Sequence, residues 1–225
     1  MPWPLRSTVA GGCSAATNSA ASWATTRCAA AYAQPFVYTL TGFKWIGRVP
    51  GLAYGYEEAI GYCVDPEAVP DKDGISALIR VLTLAAGLKA AGLTVADRLD
   101  EITRTYGVYE TDQLAVRVAD LSLIAEAMVR LRARPPVELL GQPVTVVDLA
   151  EGSPDLPPTD GVLISGQSIK AVVRPSGTEP KLKCYLEARR PVTSADDLGG
   201  DRRRTRDALF RLRAEMSVAL GLSAG

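Results

Sequence analysis

The 225-residue sequence contains no histidine at all, and its first acidic residue is Glu57. Without histidine, the chain lacks the usual general base of hydrolases and the commonest zinc ligand. Its four cysteines lie far apart and form no C-x-x-C pair. This spacing suggests neither a zinc site nor a disulfide framework, and it is typical of a reducing compartment. We therefore expect no metal site in this chain and a cytoplasmic location.

Charge and hydropathy argue against two classes of partner. The 25 basic and 25 acidic residues cancel, so the chain lacks the basic excess of nucleic-acid-binding proteins. No run of 18 apolar residues occurs, and the sequence therefore predicts no membrane-spanning helix. Six arginines lie between positions 202 and 213. A nucleic-acid-binding face is one interpretation, but interspersed Asp201, Asp207 and Glu215 favour a solvated helix face.

The first part of the chain has an unusual composition. Residues 1–56 carry four basic residues and no acid, whereas the remainder has four more acids than bases. Up to about residue 37, Ala, Ser, Thr and Gly dominate, without a helical period or strand alternation. A secretory signal is disfavoured because polar residues interrupt its apolar region. We set residues 1–37 apart as an atypical segment, which is either disordered or non-native sequence read out of frame from GC-rich DNA.

The rest of the chain has clear helix and strand patterns. The spacing predicts a helix over 71–92, capped by Asp71 or Asp73, and a second from Thr94 to Gly107 with a capping box. One face of the first helix carries Ile75, Leu78, Ile79, Leu82 and Ala86. After a domain boundary near Gly107, the patterns predict an antiparallel α+β domain. Its expected elements are a strand at 114–118, a helix at 120–133, strands at 143–149, 161–165, 168–174 and 181–188, and a helix at 201–220.

The loop R-P-S-G-T-E-P-K at 174–181 has the chemistry to bind a phosphate monoester. Arg174 offers a planar fork that can hold two phosphate oxygens at once. Ser176 and Thr178 add hydroxyl donors, and Gly177 lets consecutive backbone N–H groups turn into one concavity. A plain β-turn is the alternative, because Pro, Ser, Gly and Thr are common in turns.

Two further stretches carry candidate contacts for an anionic, hydroxylated ligand. In Y-G-Y-E-E-A-I-G-Y at 54–62, Glu57 and Glu58 would point to opposite sides of a strand, so they are a poor acid–base pair. One carboxylate aimed into a cleft could instead accept hydrogen bonds from vicinal sugar hydroxyls. In T-L-T-G-F-K-W, Lys44 follows a glycine turn. The alternatives are a solvated glutamate pair and a solvated lysine.

Taken together, TLTGFKW, GYEEAIGY followed by DKDGISA, and RPSGTEPKLK resemble the α-D-phosphohexomutase superfamily of phosphoglucomutases and phosphomannomutases, in that family's order. The resemblance covers roughly residues 38–220, and the EEAIG form is most similar to the phosphopentomutase-like branch. It implies an α+β chain with a partial α/β third domain over 38–107. A complete, small antiparallel-sheet C-terminal domain would follow over 108–225.

The resemblance also implies roles for particular residues. The substrate phosphate would be held by Arg174, Ser176, Gly177 and Thr178, and the sugar by Glu57 and Lys44. Ala59 stands where many members have Ser, which leaves the choice between hexose and pentose phosphate open.

The family's catalytic motifs are missing from this sequence. Intact members are isomerases that use a phosphoserine and a magnesium ion held by an Asp-rich loop. With no histidine the chain has no T-A-S-H-N-P serine motif, and it has no D-G-D-x-D-R. We therefore expect the C-terminal part of a mutase, with no catalytic residue, no bound Mg²⁺ and no turnover alone. The alternatives are a non-catalytic phosphosugar-binding module that acts with a partner chain, and a pseudogene product.

Overall fold

The computed structural model describes residues 8–12, 36–40, 42–57, 61–118, 120–152, 157–176, 179–192, 194 and 197–222. The chain divides into two compact units, Met1–Thr105 and Tyr106–Gly225, which we call the N-terminal and the C-terminal unit. The division lies next to Gly107, where the sequence pattern places a boundary.

The N-terminal unit contains a four-stranded sheet. Its elements are β1 (Thr8–Gly12), β2 (Phe36–Thr39), the short helix α1 (Phe43–Ile46), β3 (Leu52–Glu57) and β4 (Gly61–Cys63). The strand order is β2–β1–β3–β4, with β1 parallel to both neighbours and β4 antiparallel to β3. The parallel strands agree with the α/β character expected of this part of the chain.

Strand β1 corrects one expectation, because it lies inside the segment 1–37 in which no strand pattern was found. Thr8–Gly12 is short and ends in two glycines, so it offers little side-chain alternation to detect. It is paired along both edges, with β2 and with β3, and strand formation depends strongly on such neighbours. The out-of-frame origin of residues 1–37 stays a prediction.

Two helices complete the N-terminal unit, α2 (Gly74–Ala90) and α3 (Val95–Tyr106). The Asp73 carboxylate caps α2 by accepting hydrogen bonds from the backbone N–H groups of Ile75 and Ser76. Thr94 and Asp97 form the predicted capping box of α3, each accepting a hydrogen bond from the other's backbone N–H. Both predicted helices and their caps are confirmed.

The C-terminal unit is an antiparallel α+β domain, as predicted. Its elements are β5 (Val108–Arg117), α4 (Ser122–Ala133), β6 (Glu138–Leu139), β7 (Gln142–Pro143), β8 (Thr145–Asp148), a 3₁₀ turn (Leu149–Glu151), β9 (Val162–Ser165), β10 (Ile169–Pro175), β11 (Lys181–Arg190) and α5 (Leu198–Ala219). The main sheet has the order β5–β11–β10–β9–β8, and every neighbouring pair is antiparallel. Helix α5 begins three residues before the predicted start, at a cap formed by Asp197.

Side-chain alternation gives this sheet two different faces. Leu182, Cys184 and Leu186 of β11 belong to the core with residues of α4 and α5. The intervening residues of β11 point the other way because successive strand side chains alternate. We call that side the second face of the sheet. It carries Lys183, Tyr185 and Glu187 of β11 and, in register with Lys183, Arg174 of β10.

Within the described ranges, no single helix is long and apolar enough to cross a membrane. Helices α2 and α3, bent by 93° at the break between them, reach that length and composition only as a pair.

Candidate functional site

Residues from three separate sequence motifs meet at one end of β3. Phe43 comes from the TLTGFKW stretch, Glu57 ends β3, and Lys72 belongs to the DKDG stretch before α2. Lys72 Nζ forms an ion pair with Glu57 Oε1. The same Nζ lies 5.7 Å from the centre of the Phe43 ring. The fold therefore brings together motifs that are distant in the sequence, and we call Phe43, Glu57, Gly61 and Lys72 the Glu57 cluster.

Glu57 is buried, with only 6% of its surface exposed. Lys72 pairs with one carboxylate oxygen, but no described residue donates a hydrogen bond to the other, Oε2. Buried polar atoms normally have a partner. The free lone pairs of Oε2 can accept a hydrogen bond from a hydroxyl group. The solvated-glutamate alternative is therefore wrong for Glu57, while Glu58 lies outside the described residues.

Gly61 has no side chain, and this allows Glu57 and Phe43 to pack closely against its backbone. It is paired with Glu57 across the β3–β4 hairpin. A Cβ atom at Gly61 would lie 2.5 Å from Glu57 Cγ and 2.8 Å from Phe43 Cε2, closer than carbon atoms can approach without movement. Gly61 and Lys72 lie within two of the motifs, but the sequence alone assigned them no role. Their role depends on the hairpin and on the position of Asp71–Asp73 in space.

Lys44 occupies a different environment from Glu57. It is exposed on α1, whereas the adjacent Phe43 is buried. Its Nζ lies 5.4 Å from the ring centre of its neighbour Trp45. Among the contacts of the described residues, none joins Lys44 to Glu57. A role for Lys44 in ligand binding stays a prediction.

Arg174 lies on the second face of the C-terminal sheet, next to the R-P-S-G-T-E-P-K loop. Its Nη2 donates a hydrogen bond to Tyr185 Oη at 3.1 Å, and its Cζ lies 5.5 Å from the Tyr185 ring centre. Lys183 is directly opposite Arg174 on β11, so both side chains point to the same face. Arg174 Nε is buried and has no acceptor among the described residues. The arrangement can hold an anion between two cationic side chains.

The loop itself closes the β10–β11 hairpin. The backbone N–H of Ser176 donates to the carbonyl of Lys181 at 2.8 Å. The loop's one carboxylate, Glu179, is paired with Lys181 and Arg117, each at 2.9 Å. The hydrogen bond from Lys181 lowers the pKa of Glu179, and the nearby positive charges act in the same direction. Glu179 is thus held by cations of β11 and β5 rather than by Arg174.

Two of the four predicted phosphate-binding residues, Gly177 and Thr178, lie outside the described residues. The anion nest proposed for that part of the loop stays a prediction. Tyr185 and Lys183, in contrast, were missed by sequence reasoning. The alternation of charged and apolar residues along 181–188 was a signal that Lys183 and Tyr185 share one face of β11, but only the strand register places Arg174 on that face.

The described residues do not fit the magnesium ion that the resemblance implies for intact relatives. They contain no group of three or more Asp, Glu or Cys side chains that could hold a metal ion. Asp73 uses both carboxylate oxygens for backbone N–H groups of α2, and Asp71 Oδ1 accepts from the Lys72 N–H at 2.7 Å. Mg²⁺ sites need carboxylate oxygens directed at the ion. We assign no step to a metal in this chain.

Comparison with known protein families decides the assignment. A family model described as phosphoglucomutase/phosphomannomutase, alpha/beta/alpha domain III, matches residues 6–106. A second model, for the phosphoglucomutase/phosphomannomutase C-terminal domain, matches residues 114–199. The chain belongs to the phosphoglucomutase/phosphomannomutase family. It covers domains III and IV of that family, and the domain III match begins within the segment 1–37 that we set apart by composition.

Individual relatives support the same assignment. A protein of Haemophilus influenzae named probable phosphomannomutase is 47% identical over 152 residues, which cover 67% of this chain and 31% of the relative. A probable phosphoribomutase of Schizosaccharomyces pombe is 35% identical over 184 residues, and the match covers 68% of this chain and 30% of the relative. The chain spans about a third of the length of these curated relatives.

A solved structure shows the same fold at lower identity. The open form of parafusin, a phosphoglucomutase from Paramecium, matches with a TM-score of 0.68 and 18% identity. The match covers 96% of this chain and 38% of the Paramecium chain.

Proposed function

We propose that this chain is the sugar-phosphate-binding part of a cytoplasmic phosphosugar mutase, and that it binds a hexose or pentose phosphate without converting it. The proposal rests on the hydrogen bonding of the Arg174 side chain. Tyr185 holds its guanidinium in place, while Nε is buried and has no acceptor in the part of the chain that the structure describes. A fixed guanidinium with an unused N–H donor, beside Lys183, suits a phosphate dianion. Ser176, Gly177 and Thr178 complete the phosphate loop in this proposal.

The Glu57 cluster supports recognition of the sugar. Glu57 Oε2 lacks a donor among the described residues, and a sugar hydroxyl would supply one. Lys72 neutralises the carboxylate through Oε1, which reduces the cost of keeping a charge buried. Lys44 is a second cation that the ligand would meet. Glu57 of the N-terminal unit is proposed to contact sugar hydroxyls, and Arg174 of the C-terminal unit is proposed to contact a phosphate.

The absence of turnover follows from the missing motifs. Phosphoryl transfer in the family needs the serine motif and the Asp-rich loop that this sequence does not contain. We expect purified protein to leave glucose 1-phosphate unconverted in a coupled assay for the 6-phosphate. Measurable conversion by contaminant-free protein would contradict this part of the proposal.

Calorimetric titration tests the binding site. Wild-type protein is titrated with glucose 6-phosphate, ribose 5-phosphate and inorganic phosphate. Arg174→Ala removes the charge-assisted donors and should weaken binding of all three roughly ten- to a hundredfold. Arg203→Ala, which removes an exposed arginine of α5, is the matched control and should leave binding unchanged.

A second variant tests the Glu57 cluster of the N-terminal unit by itself. Glu57→Gln should weaken binding of the sugar phosphates but not of inorganic phosphate, because only the former carry hydroxyl groups. Circular dichroism checks that each variant is folded. Equal affinity of wild type and Arg174→Ala would overturn the phosphate assignment, and equal loss for inorganic phosphate in Glu57→Gln would overturn the sugar assignment.

A further inference from the structure

Helix α2 is apolar on all sides and leaves most of its large side chains exposed. Its 17 residues include only two charges, Arg80 and Lys89, and none of its residues is buried. Four aliphatic residues are between 54% and 71% exposed. We call these four the α2 seam: Ile75, Leu78, Ile79 and Leu82. A helix that is hydrophobic all round is normally buried, so the exposed seam needs a partner.

The inner side of α2 faces its own unit. Ala77 packs against the cluster of Tyr54, Tyr56 and Val64. Leu84 and Leu88 are half-buried and line a cavity of about 470 Å³ beside Tyr54. The α2 seam lies on the other side of the helix, where its residues are exposed. It is therefore a second apolar face, distinct from the one that packs on the sheet.

We propose that the α2 seam docks against the same seam of a second copy of this chain, with the two α2 helices antiparallel. The seam residues are three and four apart, the spacing at which two helices interlock their side chains. No charged side chain interrupts the seam.

The charges at the ends of α2 favour the antiparallel arrangement. The helix starts after Asp71 and Asp73 and has Lys89 in its last turn. Antiparallel pairing brings the Lys89 end of each helix to the acidic start of the other, and it also opposes the two helix dipoles. Parallel pairing would place Lys89 beside Lys89. The ends are thus complementary only in the antiparallel arrangement.

A lipid surface suits α2 less well than a second copy. Helices that lie on membranes carry a strongly charged face opposite the apolar one. The face of α2 opposite the seam is turned towards its own unit and carries one charge: Ala77 packs against Tyr54, Tyr56 and Val64, and Arg80, Leu84 and Leu88 line the cavity. A second copy would cover the α2 seam without requiring a strongly charged opposite face.

Light scattering after size-exclusion chromatography of the full chain tests the proposal. Wild type should elute with the mass of two chains, and Leu82→Asp and Ile79→Asp should each elute as one chain, because they place an unpaired carboxylate in the seam. Both positions are 59% exposed in the single chain, so these changes should leave folding intact. Val218→Asp, at a 78% exposed apolar position of α5, is the matched control and should remain a dimer.

A charge swap tests the direction of the helices. Lys89→Glu should weaken the dimer by repulsion from Asp71, and the double variant Lys89→Glu/Asp71→Lys should restore it. A monomeric wild type, or a dimer that persists in both seam variants, would overturn the proposal. So would a wild-type monomer that binds vesicles of anionic phospholipid through Leu82. Failure of the double variant to restore the dimer would overturn the antiparallel arrangement.

Discussion

Glu57 and Arg174 each keep one buried polar atom that no described residue satisfies. Leaving a buried donor or acceptor without a partner costs roughly 1–3 kcal/mol. Such a cost is common where a ligand supplies the missing partner. Residue type and motif were enough to select these two side chains from the sequence. Their unsatisfied atoms, which make them specific candidates, are visible only in the folded chain.

The partners of these two residues could not be read from the sequence. Lys72 meets Glu57 because the β3–β4 hairpin and the start of α2 converge. Tyr185 meets Arg174 because β10 and β11 pair in one particular register. A shift of that register by one residue would turn Tyr185 to the opposite face. Non-local pairing therefore decides the chemistry of both sites.

Glu187 provides a pH-dependent test at the residue scale. Burial raises the pKa of this carboxyl, and the nearby Lys170 and Arg189 oppose the effect. The folded state therefore binds the proton more tightly than the unfolded state, and stability falls as the pH rises above the unfolded pKa of about 4.3. Glu187→Gln removes this penalty. We expect a higher Tm than wild type at pH 7.

Thermal unfolding followed by circular dichroism measures this difference. The stabilisation of Glu187→Gln should disappear when the solution is more acidic than the unfolded pKa, because the wild-type carboxyl is then also neutral in both states. Glu138→Gln, at an exposed position of β6, should show no stabilisation at either pH. A lower Tm for Glu187→Gln at pH 7 would contradict the argument.

At the scale of single elements, α5 has one face buried in the core and another exposed to solvent. Leu212 and Met216 are completely buried, whereas Phe210 and Val218 are 73% and 78% exposed. Leu212→Ala should lower the free energy of unfolding by about 2–5 kcal/mol through lost transfer energy and a cavity. Phe210→Ala, two residues away, should change it by less than about 0.5 kcal/mol.

Urea denaturation of both variants measures this contrast. The two substitutions lie in the same helix, and their effects on helix propensity are each at most about 0.7 kcal/mol, so a difference of several kcal/mol reports burial. A large loss of stability in Phe210→Ala would show that its ring is covered in solution.

Helix α2 and strand β1 show what local patterns can predict about an element. The sequence predicted a cap of α2 at Asp71 or Asp73 and one helix face shared by its apolar residues, because caps and periodicity are local, and the structure shows that the cap is Asp73. Periodicity groups Ile75 and Leu82 on one face, but it does not say whether another surface covers that face. Strand β1 was missed because it is formed by its two neighbours rather than by its own alternation.

For the whole molecule, the two units differ in the size of their cores. Among the described residues, the C-terminal unit has one cluster of 19 buried hydrophobic residues. The N-terminal unit has two clusters of three each. A larger continuous core gives higher resistance to local opening. We expect limited proteolysis to remove the N-terminal unit first and to leave a stable fragment that begins near Gly107.

Mass spectrometry of the digest identifies the fragment, and a thermal melt of recombinant 106–225 checks that it folds cooperatively. A resistant product that retains β3 and β4, or a fragment 106–225 without a cooperative melt, would contradict this expectation. A stable fragment 106–225 would contain the proposed phosphate-binding residues, because Arg174, Lys183 and Tyr185 all belong to the C-terminal unit.

Short-range patterns in the sequence predicted the helix caps, at Asp71 or Asp73 for α2 and at Thr94 for α3, and the antiparallel α+β C-terminal unit. The family was predicted from the resemblance of three motifs and their order. The tertiary structure decided three things that no local pattern contains. It paired Lys72 with Glu57, it set Arg174 against Tyr185, and it left the α2 seam exposed. Each depends on strand register or on what covers a surface, and both are set by contacts between residues far apart in the chain.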